Sequence, residues 1–227
     1  MTAGVPVIAI DGPTGSGKGT VSRGLARRLS WHLLDSGALY RLVALAARHR
    51  GVSLDDVAGL VSVAETMAVQ FSAASDVEQI MLGGQDVTLA LRTENAGMDA
   101  SRVGAIPEVR AVLLERQRGF AQAPGLIADG RDMGSVVFPQ SALKVFLTAA
   151  PQERALRRYK QLSEKGIDVS LAALSREIVE RDQRDASRLV APLRPAADAR
   201  VLDSTGLTVE QVIETVLRWV DEAGLRT

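Results

Sequence analysis

A glycine-rich stretch near the start of the chain combines residue types that can bind phosphate groups. It reads GPTGSGKGT, follows a short apolar run and leads into a helical pattern. Glycines allow several backbone N–H groups to turn toward one point, where the helix N-terminus adds partial positive charge. A glycine turn without a ligand is the alternative, which the flanking strand and helix disfavour. We predict a phosphate-binding loop formed by Gly12, Pro13, Thr14, Gly15, Ser16, Gly17, Lys18, Gly19 and Thr20.

The residue after the loop lysine separates classes of phosphate-binding loop. Lys18 can reach terminal phosphates, and most such loops place a magnesium-binding Ser or Thr directly after the lysine. Here Gly19 takes that position and Thr20 follows it. The order Gly-Lys-Gly-Thr resembles nucleoside monophosphate kinases rather than GTPases or motor ATPases.

Strands and helices must alternate to position this loop. Short apolar runs predict buried strands, and helical patterns lie between most of them. This alternation predicts an α/β fold with a parallel sheet that helices cover on both faces. The strands are expected at 5–10, 31–34, 125–128, 143–147 and 201–202.

One region departs from the alternation. Short β-like runs occupy 69–72, 77–82 and 87–89, and Gly83-Gly84 forms a turn between the last two. We therefore predict a small antiparallel insertion, followed by helices around 93–103 and from Pro107 to about 121. Near the C-terminus, Thr208 and Gln211 predict a capping box for the final helix.

Polar clusters stand where three of the predicted strands end. They are the phosphate loop, Asp35-Ser36 and the segment from Asp129 to Asp132. Ligands of open parallel sheets bind beyond the carboxyl ends of the strands, so this convergence indicates an enzyme. Asp129 could hold magnesium through water or cap its own turn. The adjacent Arg131 and Asp132 could bind a phosphate and a base edge, or form a surface ion pair.

Further arginines are candidates for contacts with phosphate. Arg181, Asp185 and Arg188 share one helix face if the helix continues that far, although such a face is usually just solvated. Arg157 and Arg158 could belong to a mobile lid or to an ordinary basic surface. Arg41 could reach an acceptor phosphate, whereas His32 and His49 are expected to be structural or exposed. Each of these candidates is chosen from its position in the sequence.

Composition narrows the class of protein. The 227 residues contain no cysteine and carry a formal net charge of zero. Disulfides, thiolate metal sites and cysteine nucleophiles are thereby excluded. No apolar run approaches the roughly 20 residues that span a bilayer, and the start lacks a signal peptide pattern. We expect a cytoplasmic protein with neither a membrane nor a nucleic acid as partner.

Five segments give the chain its resemblance to a known family, the bacterial cytidylate kinases. GRDMGSVVFP and RDQRD are much more specific than the phosphate loop, which many families share. The β-rich insertion also resembles the enlarged nucleotide-binding insertion of these enzymes. The segments are IAIDGPTGSGKGT (8–20), LDSGALYR (34–41), ADGRDMGSVVFP (128–139), ERDQRDASRLVAP (180–192) and AADARVLDS (196–204).

The resemblance implies transfer of the γ-phosphate of ATP to CMP or dCMP, with magnesium, by a monomer. It implies ATP on the phosphate loop and catalytic roles for Lys18, Arg131, Arg188, Arg157 and Arg158. Arg41, Arg131 and Arg188 would bind the acceptor phosphate. Ser101, Arg110 and Asp132 would read the cytosine edge, and Arg181 and Asp185 would contact the sugar with Ser36 nearby. The residue numbers are those of this sequence.

The resemblance also implies a domain organisation. The chain 1–227 would be one P-loop kinase domain with a nucleoside monophosphate-binding region at 36–106. That region would include the β-rich insertion at about 63–105, and 154–168 would be a short helical lid. The remainder would be the ATP-binding core. We expect the insertion and lid to be open without ligand and to close on it.

Two alternatives remain open. One is another small-molecule P-loop kinase, such as a UMP-, AMP- or shikimate-type enzyme, which the long insertion and RDQRD disfavour. The other is a non-catalytic nucleotide-binding module. A GTP switch would carry the tetrapeptide Asn-Lys-x-Asp, which this sequence lacks.

Overall fold

The computed structural model describes residues 4–72, 79–164 and 166–226. These residues form two units. The core unit comprises Met1–Asp35 and Gln117–Thr227, and the inserted unit comprises Ser36–Arg116. Positions 77 and 78 of the predicted run 77–82, and position 165 of the predicted lid, lie outside the described residues.

The elements follow the predicted alternation closely. The strands are β1 (Val7–Asp11), β2 (His32–Asp35), β3 (Val69–Ser72), β4 (Gln79–Leu82), β5 (Gln85–Asp86), β6 (Leu126–Gly130), β7 (Leu143–Thr148) and β8 (Arg200–Asp203). The helices are α1 (Lys18–Leu29), α2 (Ser36–His49), α3 (Val57–Thr66), α4 (Glu94–Val103), α5 (Pro107–Arg118), α6 (Pro151–Ser163), α7 (Leu171–Ala186) and α8 (Val209–Glu222). None of these helices is long and apolar enough to cross a membrane.

The core unit is built on a parallel sheet in the order β2-β6-β1-β7-β8. Every residue of β1 and β6 is buried, as expected for central strands covered on both faces. In the register of the sheet, Asp129 lies opposite both Ile10 and Asp35. The carboxyl ends of β1, β2 and β6 therefore meet at one edge, as the polar clusters predicted.

Helices α1 and α8 pack together beside this sheet. The buried residues of α8 recur every three or four positions, at Val212, Val216 and Val220 among others. At Gly24 on α1, a Cβ atom would lie 2.4 Å from Ile213 Cδ1, so a larger residue there would force the Ile213 side chain to shift. The predicted capping box is confirmed, because Thr208 Oγ1 and the Gln211 backbone N–H are bonded at 3.2 Å and the reciprocal bond is present.

The inserted unit contains helices and a three-stranded antiparallel sheet in the order β3-β4-β5. The predicted turn at Gly83-Gly84 is confirmed, with φ values of 55° and 83°. The third predicted run, 87–89, is wrong, because β5 is Gln85–Asp86. After β5 the Val87 N–H still donates to the Ile80 carbonyl at 2.9 Å. The Ile80 N–H, however, donates to Thr88 Oγ1 at 2.9 Å, and Asp86 accepts the Thr88 N–H at 2.9 Å.

Candidate active site

The predicted phosphate loop connects β1 to the first turn of α1. Gly17 caps α1 in the left-handed conformation with φ of 89°, and Gly15 has φ of 74°. At Gly12, a Cβ atom would lie 2.0 Å from the Leu147 carbonyl oxygen, so only glycine fits beside β7. The backbone therefore has the curled shape that a phosphate-binding loop needs.

Lys18 stands at the N-terminus of α1, where its ammonium group donates to the Pro13 carbonyl at 3.1 Å. Burial lowers the pKa of Lys18, and the positive charge of Arg131 adds to this effect. The carboxylates of Asp129 and Asp35 oppose it. The lysine is therefore held inside the loop, among charges of both signs.

Asp129 lies buried at the end of β6, close to the phosphate loop. A Cβ atom on Gly19 would lie 3.2 Å from its Oδ2 atom, so glycine at this position keeps the space beside the carboxylate open. Its Oδ1 atom has no hydrogen-bond partner among the described residues. Burial and the neighbouring Asp35 raise the pKa of Asp129, against the charge of Lys18.

The environment of Asp129 fits magnesium bound with few protein ligands. Magnesium prefers oxygen and usually keeps several waters while contacting one or two carboxylates and substrate phosphates. In the described part of the chain, no cluster of three or more His, Asp or Glu side chains could enclose a metal ion by itself. A buried carboxylate with an unbonded oxygen beside a phosphate loop matches the arrangement in which waters and substrate phosphates supply most of the magnesium ligands.

Asp185 holds two of the predicted phosphate-binding arginines together. Arg131 Nε donates to Asp185 Oδ2 at 2.9 Å, and Arg188 Nη2 donates to Asp185 Oδ1 at 2.5 Å. Burial would raise the pKa of Asp185, but the charges of Arg131 and Arg188 outweigh it and lower the pKa. The predicted cluster on α7 thus assembles with the loop after β6.

The structure decides two points about these residues that the sequence left open. Helix α7 ends at Ala186, so Arg188 lies beyond it and reaches Asp185 from the following loop. Arg131 and Asp132 do not form a surface pair, because their exposed fractions are 15% for the Arg131 side chain and 3% for Asp132. Asp132 is therefore buried and Arg131 is largely covered.

Helix α6 contacts the phosphate loop through arginines. Arg157 donates to Ser204 Oγ at 3.0 Å and lies 3.4 Å from the Ser16 carbonyl oxygen. Arg158, in contrast, donates to Gln161 one turn along the same helix, at 2.6 Å. Of the two predicted lid arginines, Arg157 is the one placed beside the loop.

Sequence reasoning missed Arg154, which lies one turn before Arg157. Its guanidinium donates to the Thr14 carbonyl at 2.9 Å, to the Ala149 carbonyl at 3.0 Å and to Asp182 at 2.5 Å. It was missed because α6 contains several arginines, which composition alone does not distinguish. The signal available was its position four residues after Ala150, where the chain leaves β7.

Asp11 was also missed, although it immediately precedes the phosphate loop. Its carboxylate accepts the Met133 N–H at 2.8 Å and the Gly134 N–H at 2.9 Å. Burial raises the pKa of Asp11 to about 7, even though both bonds oppose the shift. An aspartate ending an otherwise apolar strand was the available signal.

Four predicted acceptor-site residues belong to the inserted unit. Ser36 begins α2 and is buried, and Arg41 lies further along the same helix. Ser101 on α4 is buried, as is Arg110 on α5. The Arg110 guanidinium lies 5.7 Å from the centre of the Tyr40 ring and donates to the Gly104 carbonyl at 3.2 Å. Buried polar side chains of this kind are what recognition of a polar ligand requires.

The two histidines match the expectation. Both His32 and His49 are exposed, and a ring nitrogen of His32 lies 3.0 Å from the Ala123 carbonyl oxygen. Neither is placed among the phosphate-loop residues or the Asp185 cluster.

Comparison with known proteins agrees with this geometry. The cytidylate kinase family model matches residues 8–222. A cytidylate kinase of Pseudomonas paraeruginosa is 56% identical over 226 residues, covering 99% of each chain. A cytidylate kinase of Marinomonas sp. is 57% identical over 221 residues, covering 97% of each chain. One from Aeromonas hydrophila is 54% identical, covering 96% of this chain and 94% of the relative.

Proposed function

Because the chain belongs to the cytidylate kinase family, we propose that it catalyses ATP + CMP or dCMP = ADP + CDP or dCDP. The observation that carries this proposal is the Arg131–Asp185–Arg188 cluster in the core unit. A carboxylate that binds two arginines keeps both guanidinium groups oriented before a phosphate arrives. Fixed cations of this kind suit transfer of a highly charged phosphoryl group.

The donor nucleotide would bind to the loop from Gly12 to Thr20. Its backbone N–H groups and the N-terminus of α1 would hold phosphate oxygens, and Lys18 would face the transferring group. Burial disfavours the charged ammonium in the ligand-free loop, whereas nearby phosphate oxygens favour it. Lys18 would thus gain positive charge where negative charge develops in the transition state. Arg157 and Arg158 would add further positive charge there.

The acceptor nucleotide would be recognised by arginines and buried polar side chains. Arg41, Arg131 and Arg188 are assigned to its phosphate, and Arg181 and Asp185, with Ser36 nearby, to its sugar. Ser101, Arg110 and Asp132 are assigned to the cytosine edge. Support comes from the burial of Ser101, Arg110 and Asp132, since a site that hydrogen-bonds one base leaves buried polar groups unpaired with another.

Magnesium is the cofactor that the phosphate-loop environment fits. Asp129 would hold it, through water, with the oxygen that lacks a hydrogen-bond partner in the described structure. When bound, the ion neutralises charge on the donor phosphates and fixes their orientation. The residues of the chain itself supply the remaining positioning and the exclusion of water.

The proposed domain organisation assigns a role to regions of the two units. The region 36–106, with its β-rich insertion at about 63–105, would bind the acceptor nucleotide, and the separation of Ser36–Arg116 as a unit supports this. Residues 154–168 would act as a lid. We further propose a cytoplasmic monomer without nucleic acid or membrane partners, in keeping with a net charge of zero and 4% aromatic residues.

A labelling experiment tests the proposed reaction. The protein is incubated with magnesium, CMP and ATP carrying a radioactive γ-phosphate, and the products are separated by chromatography. We expect the label in the β-phosphate of CDP, and we expect the Lys18→Ala variant to form labelled CDP at least about a hundredfold more slowly. Label released as inorganic phosphate without CDP would contradict the transfer and support a nucleotide-hydrolysing module.

A further inference from the structure

Helix α1 carries an arginine in its second turn that the proposed reaction does not use. Arg23 lies five positions after Lys18 and is exposed. It also lies four positions after Gly19, and residues four apart in a helix share one face. Arg23 is therefore on the face of α1 that Gly19 turns toward Asp129.

The Arg23 guanidinium and the Asp129 carboxylate lie around the same point beside Gly19. A Cβ atom on Gly19 would lie 3.2 Å from Asp129 Oδ2, 3.6 Å from Arg23 Nη1 and 3.8 Å from Arg23 Nη2. The two charged groups thus border the space that glycine leaves open. Burial raises the pKa of Asp129, and the charges of Lys18, Arg131 and Arg23 oppose this rise.

The two oxygens of Asp129 have different surroundings. Oδ1 is buried without a hydrogen-bond partner among the described residues, whereas Oδ2 lies on the side of Gly19 and Arg23. A buried carboxylate needs positive charge nearby, because burial removes the water that would otherwise stabilise it. Lys18 donates to the Pro13 carbonyl inside the loop, but Arg23 is exposed, so its guanidinium can withdraw into solvent when another cation arrives.

We propose that Arg23 is the counter-charge of Asp129 in the magnesium-free protein and that it lowers the affinity of this site for a divalent cation. The inference rests on the proposed function, in which Asp129 holds magnesium. Positive charges that share one carboxylate repel each other, so an ion that arrives alone is disfavoured. The donor phosphates bring negative charge that offsets Arg23, so entry of the ion together with the nucleotide is favoured.

Manganese binding tests this proposal, because Mn²⁺ and Mg²⁺ prefer the same oxygen ligands and Mn²⁺ is detected by electron paramagnetic resonance. The protein is titrated with Mn²⁺ without nucleotide, and again with the protein in excess over a non-hydrolysable ATP analogue. Without nucleotide, Arg23→Gln should lower the dissociation constant for Mn²⁺ about fivefold, the effect of one unit charge on a divalent ion in mostly aqueous surroundings. With the analogue bound, the difference should be less than about twofold.

Three further variants show whether the charge of Arg23 is responsible. Arg23→Lys keeps the charge and should bind Mn²⁺ within about twofold of the unaltered protein. Arg27→Gln removes the same charge from an exposed position one turn further along α1, and should also change the affinity less than about twofold. Adding Asp129→Asn to Arg23→Gln should abolish the gain, because the carboxylate that holds the ion is lost.

Unchanged or weaker Mn²⁺ binding by nucleotide-free Arg23→Gln would overturn the inference, as would the absence of detectable binding by either protein. Weaker binding together with a raised KM for ATP would assign Arg23 to the donor phosphates instead. Absence of CMP turnover in the unaltered protein would refute the proposed reaction. The Mn²⁺ titration does not depend on turnover, so the two failures are distinguishable.

Discussion

Replacing Arg154 with methionine removes a buried guanidinium that the phosphate loop shares with helix α7. Methionine has similar length but no donor. Three acceptors lose their hydrogen bonds: the carbonyls of Thr14 and Ala149, and the carboxylate of Asp182. The change therefore tests how firmly the loop is tied to the helix that carries Arg181 and Asp185.

The burial of the Arg154–Asp182 pair determines how much unfolding free energy the substitution is expected to remove. The side chains of Arg154 and Asp182 are 4% and 26% exposed. Breaking a buried ion pair costs about 3–5 kcal/mol, and each hydrogen bond to a charged group contributes about 1.5–3 kcal/mol. Because water can still reach the Asp182 carboxylate, we expect the lower end, a loss of about 3 kcal/mol in the free energy of unfolding.

Urea denaturation followed by the fluorescence of Trp31 and Trp219 measures this loss, since both tryptophans lie in the core unit. The control is Lys160→Met, an exposed position on the same helix, which should change stability by less than about 0.5 kcal/mol. A loss under about 1 kcal/mol for Arg154→Met, with an unchanged denaturant slope, would refute the reasoning.

Three other outcomes follow from the same geometry. Lys18→Ala should lower turnover at least about a hundredfold while the circular dichroism spectrum stays native, because a charge facing the transferred phosphate is lost; near-normal turnover would contradict the assignment. Burial raises the pKa of Asp11 from 3.8 to about 7, so its stabilising contribution is complete below about pH 4 and is lost as pH rises through about 7. Asp11→Asn should accordingly flatten the fall in unfolding free energy between about pH 4 and about pH 7, and an equally steep fall in urea titrations of the variant would count against it. The radius of gyration from small-angle scattering should decrease when CMP and a non-hydrolysable ATP analogue are both present, because their phosphates neutralise arginines that repel one another; an unchanged radius would argue against closure.

Local chemistry accounts for what the sequence could predict. The phosphate loop follows from glycines with positive φ, and the final helix follows from the capping pair Thr208 and Gln211. The convergence of Asp35 and Asp129 at one sheet edge follows from parallel strands and is confirmed by their register. Each of these features depends on neighbours in the chain or on a general rule of the fold.

What could not be predicted depends on distant partners. The strand order β2-β6-β1-β7-β8 is set by packing and has no local sequence signal. The bond from Asp11 to Met133 spans 122 positions, and that from Arg154 to Thr14 spans 140. The error at 87–89 has a local cause, because the side chains of Asp86 and Thr88 accept the backbone N–H groups of Thr88 and Ile80. Strand propensity alone contains no information about side chains that form hydrogen bonds in place of backbone groups.

The central claim is that the chain phosphorylates CMP and dCMP, and an acceptor panel tests it most directly. ADP formation is followed in a coupled assay with ATP and magnesium, and CMP, dCMP, UMP, AMP, GMP and shikimate are offered one at a time. We predict rapid turnover with CMP and dCMP and weak turnover with the others. Faster turnover with another acceptor would discard the roles assigned to Ser101, Arg110 and Asp132, and ADP formation that needs no acceptor would contradict the kinase itself.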